Sequence, residues 1–70
     1  MKRVRLESSV IRTVGYRPET AELEIEFTSG DLYRYFAVPP SVYRGLLDAD
    51  SAGRYLQQHI RDDYPYVRVR

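Results

Sequence analysis

The amino-acid sequence predicts an α+β domain: a small antiparallel β-sheet of about three strands, followed by two helices packed on one face. The segment ELEIEF (22–27) alternates strictly between charged and apolar residues, as a half-buried strand does. The turn TSGD (28–31) leads into a second strand-like segment, LYRYFAV (32–38), and apolar residues recur at helical spacing from Val42 to Ile60. With 70 residues and no cysteine, the chain forms one small domain without disulfides.

The segment before this hairpin, SSVIRTVGY, predicts a further strand from about Ser9 to Tyr16. Two sets of side chains compete for its inward face: Val10 and Val14, interrupted by Arg12, or Ile11 and Thr13. The terminal strings RVRL and VRVR also alternate. They form short edge strands or fray around a core of about residues 9–66 of the single domain.

The length of the turn decides the register of the hairpin. A two-residue turn would place Tyr33 and Tyr35 opposite glutamates on the outer face. A three-residue turn, with Gly30 in the left-handed position of a bulge, pairs Ile25 with Tyr33, Leu23 with Tyr35 and Glu24 with Arg34. We expect this second register because it sets apolar against apolar and joins opposite charges. Tyr33 and Tyr35 then lie against the core as structural residues.

The outer face of the hairpin combines acidic and apolar side chains. We expect Glu22, Glu24 and Glu26 to form a solvated strand face, yet Leu32 and Phe36 lie on the same side. Exposed apolar side chains of this kind call for cover by the N-terminal segment or by a partner. The outer face of residues 22–38 is therefore one candidate surface for protein interaction or self-association.

Two helices follow the hairpin. Pro40 suits the first turn of the first helix, which lies within VPPSVYRGLLDA. The second helix, within DADSAGRYLQQHIRDD, is capped by Asp50 or Ser51. Its apolar stripe consists of Ala52, Tyr55, Leu56 and Ile60. His59 falls in the middle of that stripe, so we expect a hydrogen-bonded histidine in the core or at its edge.

Residue types that carry catalysis or metal binding are scarce. Cysteine is absent, His59 is the single histidine, and the glycines are isolated. We therefore expect no nucleophile with its base, no metal site and no cofactor, and a protein that is not an enzyme. No apolar run approaches the ~20 residues that cross a bilayer, and the N-terminus lacks a signal-peptide core. These features predict a cytoplasmic protein without a membrane partner.

A basic and aromatic set near the C-terminus predicts a binding surface. The set comprises Arg54, Gln58 and Arg61 on one helical stripe, and Tyr64, Tyr66, Arg68 and Arg70 beyond it. If Val67 and Val69 point inward, Arg68 and Arg70 share a face. Arginines neutralise phosphates and aromatic rings stack on bases, which is what single-stranded nucleic acid requires. The alternative is that the arginines are a solvated helix face and that the tyrosines seal the end of the core.

The ordered segments SSVIRTVGY, LEIEF, YRY, VPPSVYRGLL, SAGRYLQQHIR and YPY resemble the KTSC domain family over residues 9–66. That family is named for the C-terminal region of some lysyl-tRNA synthetases and includes stand-alone bacterial proteins. Tyr33 and Tyr35 match its central Tyr-x-Tyr, whereas residues 55–57 depart from its aromatic-aromatic-asparagine string. The resemblance implies RNA, either tRNA or a single strand, as a partner, and it implies no catalytic residue. A non-enzymatic RNA-binding module is therefore our leading hypothesis.

Overall fold

The computed structural model describes residues 2–70 and shows one five-stranded antiparallel sheet with two helices. The elements are β1 (Arg3–Arg5), β2 (Ile11–Arg17), β3 (Glu22–Phe27), β4 (Leu32–Tyr35), α1 (Pro40–Asp48), α2 (Ala52–His59) and β5 (Tyr66–Arg68). The strands lie in the sheet in the order of the chain. The α+β class and the two helices are confirmed.

The predicted count of about three strands is wrong, because both terminal strings add a strand to the sheet. β1 pairs with β2, and β5 follows the helices and pairs with β4. Each edge strand is three residues long and exposed throughout. Such strands carry no pattern of burial that separates them from frayed ends, so only their hydrogen bonds to the neighbouring strand define them.

The central hairpin has the predicted register. Leu23 lies opposite Tyr35, Glu24 opposite Arg34, and Ile25 opposite Tyr33. Gly30 has a φ of 99°, in the region that favours glycine, and closes the three-residue turn with a hydrogen bond from its N–H to a carbonyl 2.9 Å away. The three-residue turn therefore sets the register that places Tyr33 and Tyr35 on the core side of the sheet.

A bulge in β2 resolves the choice between the two inward sets predicted for that strand. The register shifts between Ile11 and Thr13, around Arg12. Because the extra residue breaks the alternation, Ile11 and Val14 both point into the core and are fully buried, although they are three positions apart. One member of each predicted set is therefore inside.

Both helices pack against the same face of the sheet. Leu46 of α1 and Ala52 and Leu56 of α2 join the buried core formed by β2, β3 and β4. α1 begins at Pro40 as predicted, and the Ser51 option for the cap of α2 is confirmed, since Ser51 Oγ accepts from the Arg54 N–H at 3.2 Å. The Ser51 cap thus fixes the N-terminal end of α2, and the buried Ala52 and Leu56 hold the helix against the sheet.

The outer face of the hairpin is not the solvated face that the sequence predicted. Glu24 is only 6% exposed, because Arg3 and Arg34 cover it from the two sides. Arg34 donates from Nε and Nη2 to Glu24 Oε2 at 2.8 and 2.7 Å, and Arg3 Nη2 donates to Oε1 at 2.5 Å. Leu32 is also buried, at 6% exposure. Long arginine side chains laid across the sheet can bury a carboxylate that alternation alone would place in water.

Candidate functional site

A groove of about 600 Å³ runs between α2 and the helix-facing side of the sheet. Strands β3, β4 and β5 form its floor, α2 forms one wall, and the β3–β4 turn closes one end. Its lining includes Phe27, Asp31, Tyr33, Tyr35, Arg54, Gln57, Arg61 and Tyr66. The groove combines apolar rings with a few polar groups, the composition typical of ligand-binding clefts.

Four rings form an aromatic row along the floor: Phe27, Tyr33, Tyr66 and Tyr35. The register creates this row, because Tyr66 on β5 lies opposite Tyr35 on β4. Tyr33 and Tyr66 are stacked with centroids 5.3 Å apart, Tyr35 and Tyr66 lie 5.4 Å apart, and Phe27 meets Tyr33 edge-on at 5.5 Å. Tyr66 is 51% exposed, so the row presents an open ring to solvent.

The wall of the groove carries Arg54 and Gln57 of α2 and Arg61, which lies two residues beyond the end of that helix. All three side chains are exposed. Across residues 2–70, neither Arg54 nor Arg61 forms a salt bridge, whereas Arg3, Arg34, Arg68 and Arg70 each have a carboxylate partner. The guanidinium groups of this wall are therefore available to an external anion.

The sheet-side rim carries a carboxylate. Asp31 accepts from Arg68 Nη2 at 2.8 Å through Oδ1 and from Ser29 Oγ at 3.2 Å through Oδ2. The side chain of Asp31 remains 39% exposed. Asp31 thus brings a carboxylate into the same groove lining as Arg54 and Arg61.

Tyr35 is the buried end of the row, with 3% exposure. Burial raises the pKa of its hydroxyl above the ordinary tyrosine value, and the neighbouring phenols of Tyr66 and Tyr33 raise it further, while the Arg61 guanidinium opposes the rise. The phenol is therefore neutral at physiological pH. It adds no negative charge that would repel a phosphate.

The structure brings together some of the residues that the sequence singled out and disperses others. Arg54, Arg61 and Tyr66 line the groove together with Tyr33 and Tyr35. Gln58 lies instead in a small separate depression beside Tyr55, and Tyr64 packs half-buried against the core. Arg68 pairs with Asp31, and Arg70 Nη2 pairs with Glu26 Oε2 at 3.0 Å.

The condition that Val67 and Val69 point inward is not met in the structure. Val67 lies opposite Arg34 on the outer face, and Val67 and Val69 are 47% and 45% exposed. Arg68 consequently lies opposite Tyr33, on the helix side of the sheet. Pairing with β4 fixes these directions, and β5 alone contains no signal for them.

The groove also contains residues that sequence reasoning missed: Phe27, Asp31 and Gln57. Phe27 ends the inward series of β3, and Asp31 follows the turn glycine, so each had a structural interpretation in the sequence. Gln57 lies one position before the predicted Gln58. Only the packing of α2 on the sheet places Gln57, and not Gln58, in the groove lining.

His59 lies outside the core, contrary to expectation. It is exposed and its ring packs on Tyr55 with centroids 4.5 Å apart. The buried side of α2 runs through Ala52 and Leu56 to Ile60, whereas His59 lies one turn after Tyr55 on the flank of that stripe. Within residues 2–70, no group of three or more histidine, cysteine or acidic residues is arranged to hold a metal ion. In the same range no helix is long and apolar enough to span a bilayer.

The chain is a small α+β domain: a five-stranded antiparallel sheet carries two helices on one face, and an open aromatic groove of ligand size lies between α2 and the sheet. The chain belongs to the KTSC domain family, whose family model matches residues 7–64. The resemblance inferred from the sequence is confirmed.

Relatives and a solved structure agree with this membership. An uncharacterized protein of Stutzerimonas stutzeri (strain A1501) is 54% identical over 70 residues, covering 99% of each chain. A lysine–tRNA ligase of Nostoc punctiforme is 42% identical over 63 residues, which are 90% of this chain and 11% of that protein. The crystal structure of a KTSC domain protein from Yersinia pestis superposes with a TM-score of 0.95 at 29% identity, covering 99% of this chain and 97% of that one.

Proposed function

We propose that this chain is a non-enzymatic module that binds single-stranded RNA in the groove between α2 and the sheet. The observation that carries the proposal is the meeting of two unpaired arginines, Arg54 and Arg61, with an open aromatic row across one cleft. The arginines contact the phosphates, and a base lies on the exposed ring of Tyr66.

The dimensions of the groove suit one or two nucleotides. Arg54 lies in the first turn of α2 and Arg61 lies two residues beyond its last residue, so the two guanidinium groups line the groove from the two ends of the helix. A volume of about 600 Å³ falls within the range of small-ligand clefts. Stacking on an aromatic side chain is worth ~1–3 kcal/mol per base and tolerates any sequence. Two phosphate contacts and one stacked base therefore give a weak, salt-sensitive interaction.

RNA is favoured over other anions because a similar segment occurs within a tRNA ligase. A relative named lysine–tRNA ligase, an enzyme that acts on tRNA, contains a 42% identical segment.

Fluorescence polarisation with a labelled single-stranded RNA octamer, tRNA and duplex DNA tests the proposal at low and physiological salt. The double variant Arg54→Ala/Arg61→Ala should weaken RNA binding and reduce the slope of log K against log salt by about 1.4, since each phosphate contributes about 0.7 on a single strand. The matched control is Arg5→Ala/Arg17→Ala, which removes two exposed arginines of β1 and β2 with the same change in net charge. Equal losses in both variants, or no binding at low salt, would refute the site.

The protein-interaction alternative has less support. It depended on exposed apolar groups on the outer face of the hairpin, yet Leu32 is buried and Glu24 has both arginine partners. Phe36 retains partial exposure there. If Phe36→Glu converts an oligomer to a monomer in light scattering, the outer face is an interface after all.

A further inference from the structure

We propose that Asp31 makes the groove selective for bases with an exocyclic amino group, with guanine as the best fit. This inference rests on the proposed function, since it names which base the RNA groove accepts. It is carried by the presence of an accessible carboxylate in the same groove lining as the aromatic row and the two arginines.

Asp31 is positioned by its neighbours in the β3–β4 hairpin. Its carbonyl accepts from the Phe27 N–H at 2.9 Å, so the residue stands directly after the turn and two positions before Tyr33. Side chains two apart on a strand share a face, and Asp31 therefore extends the row formed by Phe27 and Tyr33. Arg68 and Ser29 orient the two carboxylate oxygens from the rim.

The carboxylate of Asp31 has acceptor capacity to spare. An ionised carboxylate offers about four lone-pair sites and no donor. The hydrogen bonds from Arg68 and Ser29 occupy two of them, and the side chain is 39% exposed. Two sites remain for the edge of a base stacked on the row.

The hydrogen-bonding edges of the four bases differ in what they offer to such an acceptor. Guanine presents its ring N–H and its amino group side by side, which matches a carboxylate with two bonds. Cytosine and adenine present one amino group, and carboxylates are established acceptors for the amino group of cytosine. Uracil flanks its single ring N–H with two carbonyls, which a carboxylate repels. The discrimination of one bidentate pair corresponds to about 5- to 150-fold in affinity.

Charge places the RNA in one orientation across the groove. Phosphates are attracted to Arg54 and Arg61, which have no carboxylate partner among residues 2–70, whereas the charge of Arg68 is compensated by Asp31. Arg68 neutralises Asp31 without leaving the rim, since the two side chains lie 2.8 Å apart. The backbone therefore follows α2, and the base edge points toward the β3–β4 turn. In this arrangement Arg68 is a positioning residue for the carboxylate and makes no phosphate contact.

The experiment uses the full chain and a series of labelled RNA hexamers: hexauridylate and its variants with one central guanosine, adenosine, cytidine or inosine. We expect guanosine to bind at least 5-fold more tightly than uridine. Inosine, which lacks the amino group of guanine, falls between them. Asp31→Asn should bring all five affinities to within about 2-fold, because an amide both donates and accepts. Glu26→Gln makes the same chemical change on a residue outside the groove lining and should leave the preference intact.

The outcomes separate the two proposals. If no hexamer binds the wild-type chain at low salt, the proposed function itself is overturned. If all five bind alike, RNA binding stands and the selectivity is overturned. If the wild-type chain prefers guanosine and Asp31→Asn keeps that preference while its thermal melt is unchanged, a group other than Asp31 reads the base.

Discussion

Replacing Tyr66 with alanine removes the exposed ring of the aromatic row. Tyr66 stacks on Tyr33 at 5.3 Å, contacts Tyr35 at 5.4 Å and leaves half of its surface open. A stacked base contributes about 1–3 kcal/mol, so the dissociation constant for RNA should rise about 5- to 150-fold. The slope of log K against log salt should stay the same, because the substitution removes no charge.

Tyr66→Ala should lower the free energy of unfolding by less than the total stability of the domain. An aromatic pair adds ~0.5–1.5 kcal/mol beyond the area that it buries, and Tyr66 lies on an edge strand and is already half exposed. A domain of this size has about 3.5–10 kcal/mol of stability at ~0.05–0.15 kcal/mol per residue. Tyr66→Ala should therefore remain folded, with a lower melting temperature.

Val67→Ala is the matched control for Tyr66→Ala. Val67 is the next residue on the same edge strand, is 47% exposed, and lies opposite Arg34 on the other face of the sheet. Polarisation titrations at one salt concentration, with circular dichroism melts of each variant, measure affinity and folding separately. Unchanged affinity in Tyr66→Ala, or an equal loss in Val67→Ala, would refute a role for the aromatic row in binding.

Two further predictions concern stability. Glu24→Gln removes a buried carboxylate that binds Arg3 and Arg34, and it should lower the free energy of unfolding by ~1–3 kcal/mol. The loss is limited because both arginine side chains are about a third exposed. Thermal melts of Glu24→Gln and of the control Glu22→Gln measure the difference, and equal melting temperatures would contradict the prediction. The pKa of Tyr35 is raised by burial, so its share of stability is present below the ordinary tyrosine pKa and is lost as pH rises through the raised value. Urea unfolding from pH 9 to 11 should show a shallower decline for Tyr35→Phe, and parallel declines would count against the burial argument.

The central hairpin could be predicted from sequence because two independent signals agree there. Alternation specifies the faces of β3, and Gly30 in the turn specifies the register that joins Glu24 to Arg34. The burial of Glu24 could not be predicted in the same way. Arg3 comes from a strand that is 21 residues away in sequence, and only the completed sheet brings it over the carboxylate.

The candidate site was predictable only in part, for a reason that the second helix illustrates. A stripe of Arg54, Gln58 and Arg61 assumes one continuous helix, but α2 ends at His59 and Ile60 has a φ of −122°. Arg61 therefore leaves the helical path and reaches the groove beside Gln57. Residue types near the C-terminus indicated phosphate and base contacts, whereas the cleft that unites them with Asp31 exists only after the helix packs on the sheet.

The position of β5 has a consequence for biosynthesis. No helix separates β1, β2, β3 and β4 in the chain, so these strands can form as successive hairpins while the polypeptide emerges. β5 is made last, after both helices, and docks on β4 alone. Since β5 carries Tyr66, the aromatic row gains its open ring only after both helices have been made. A nascent chain can therefore form β1 to β4 and both helices before β5 completes the sheet and the aromatic row.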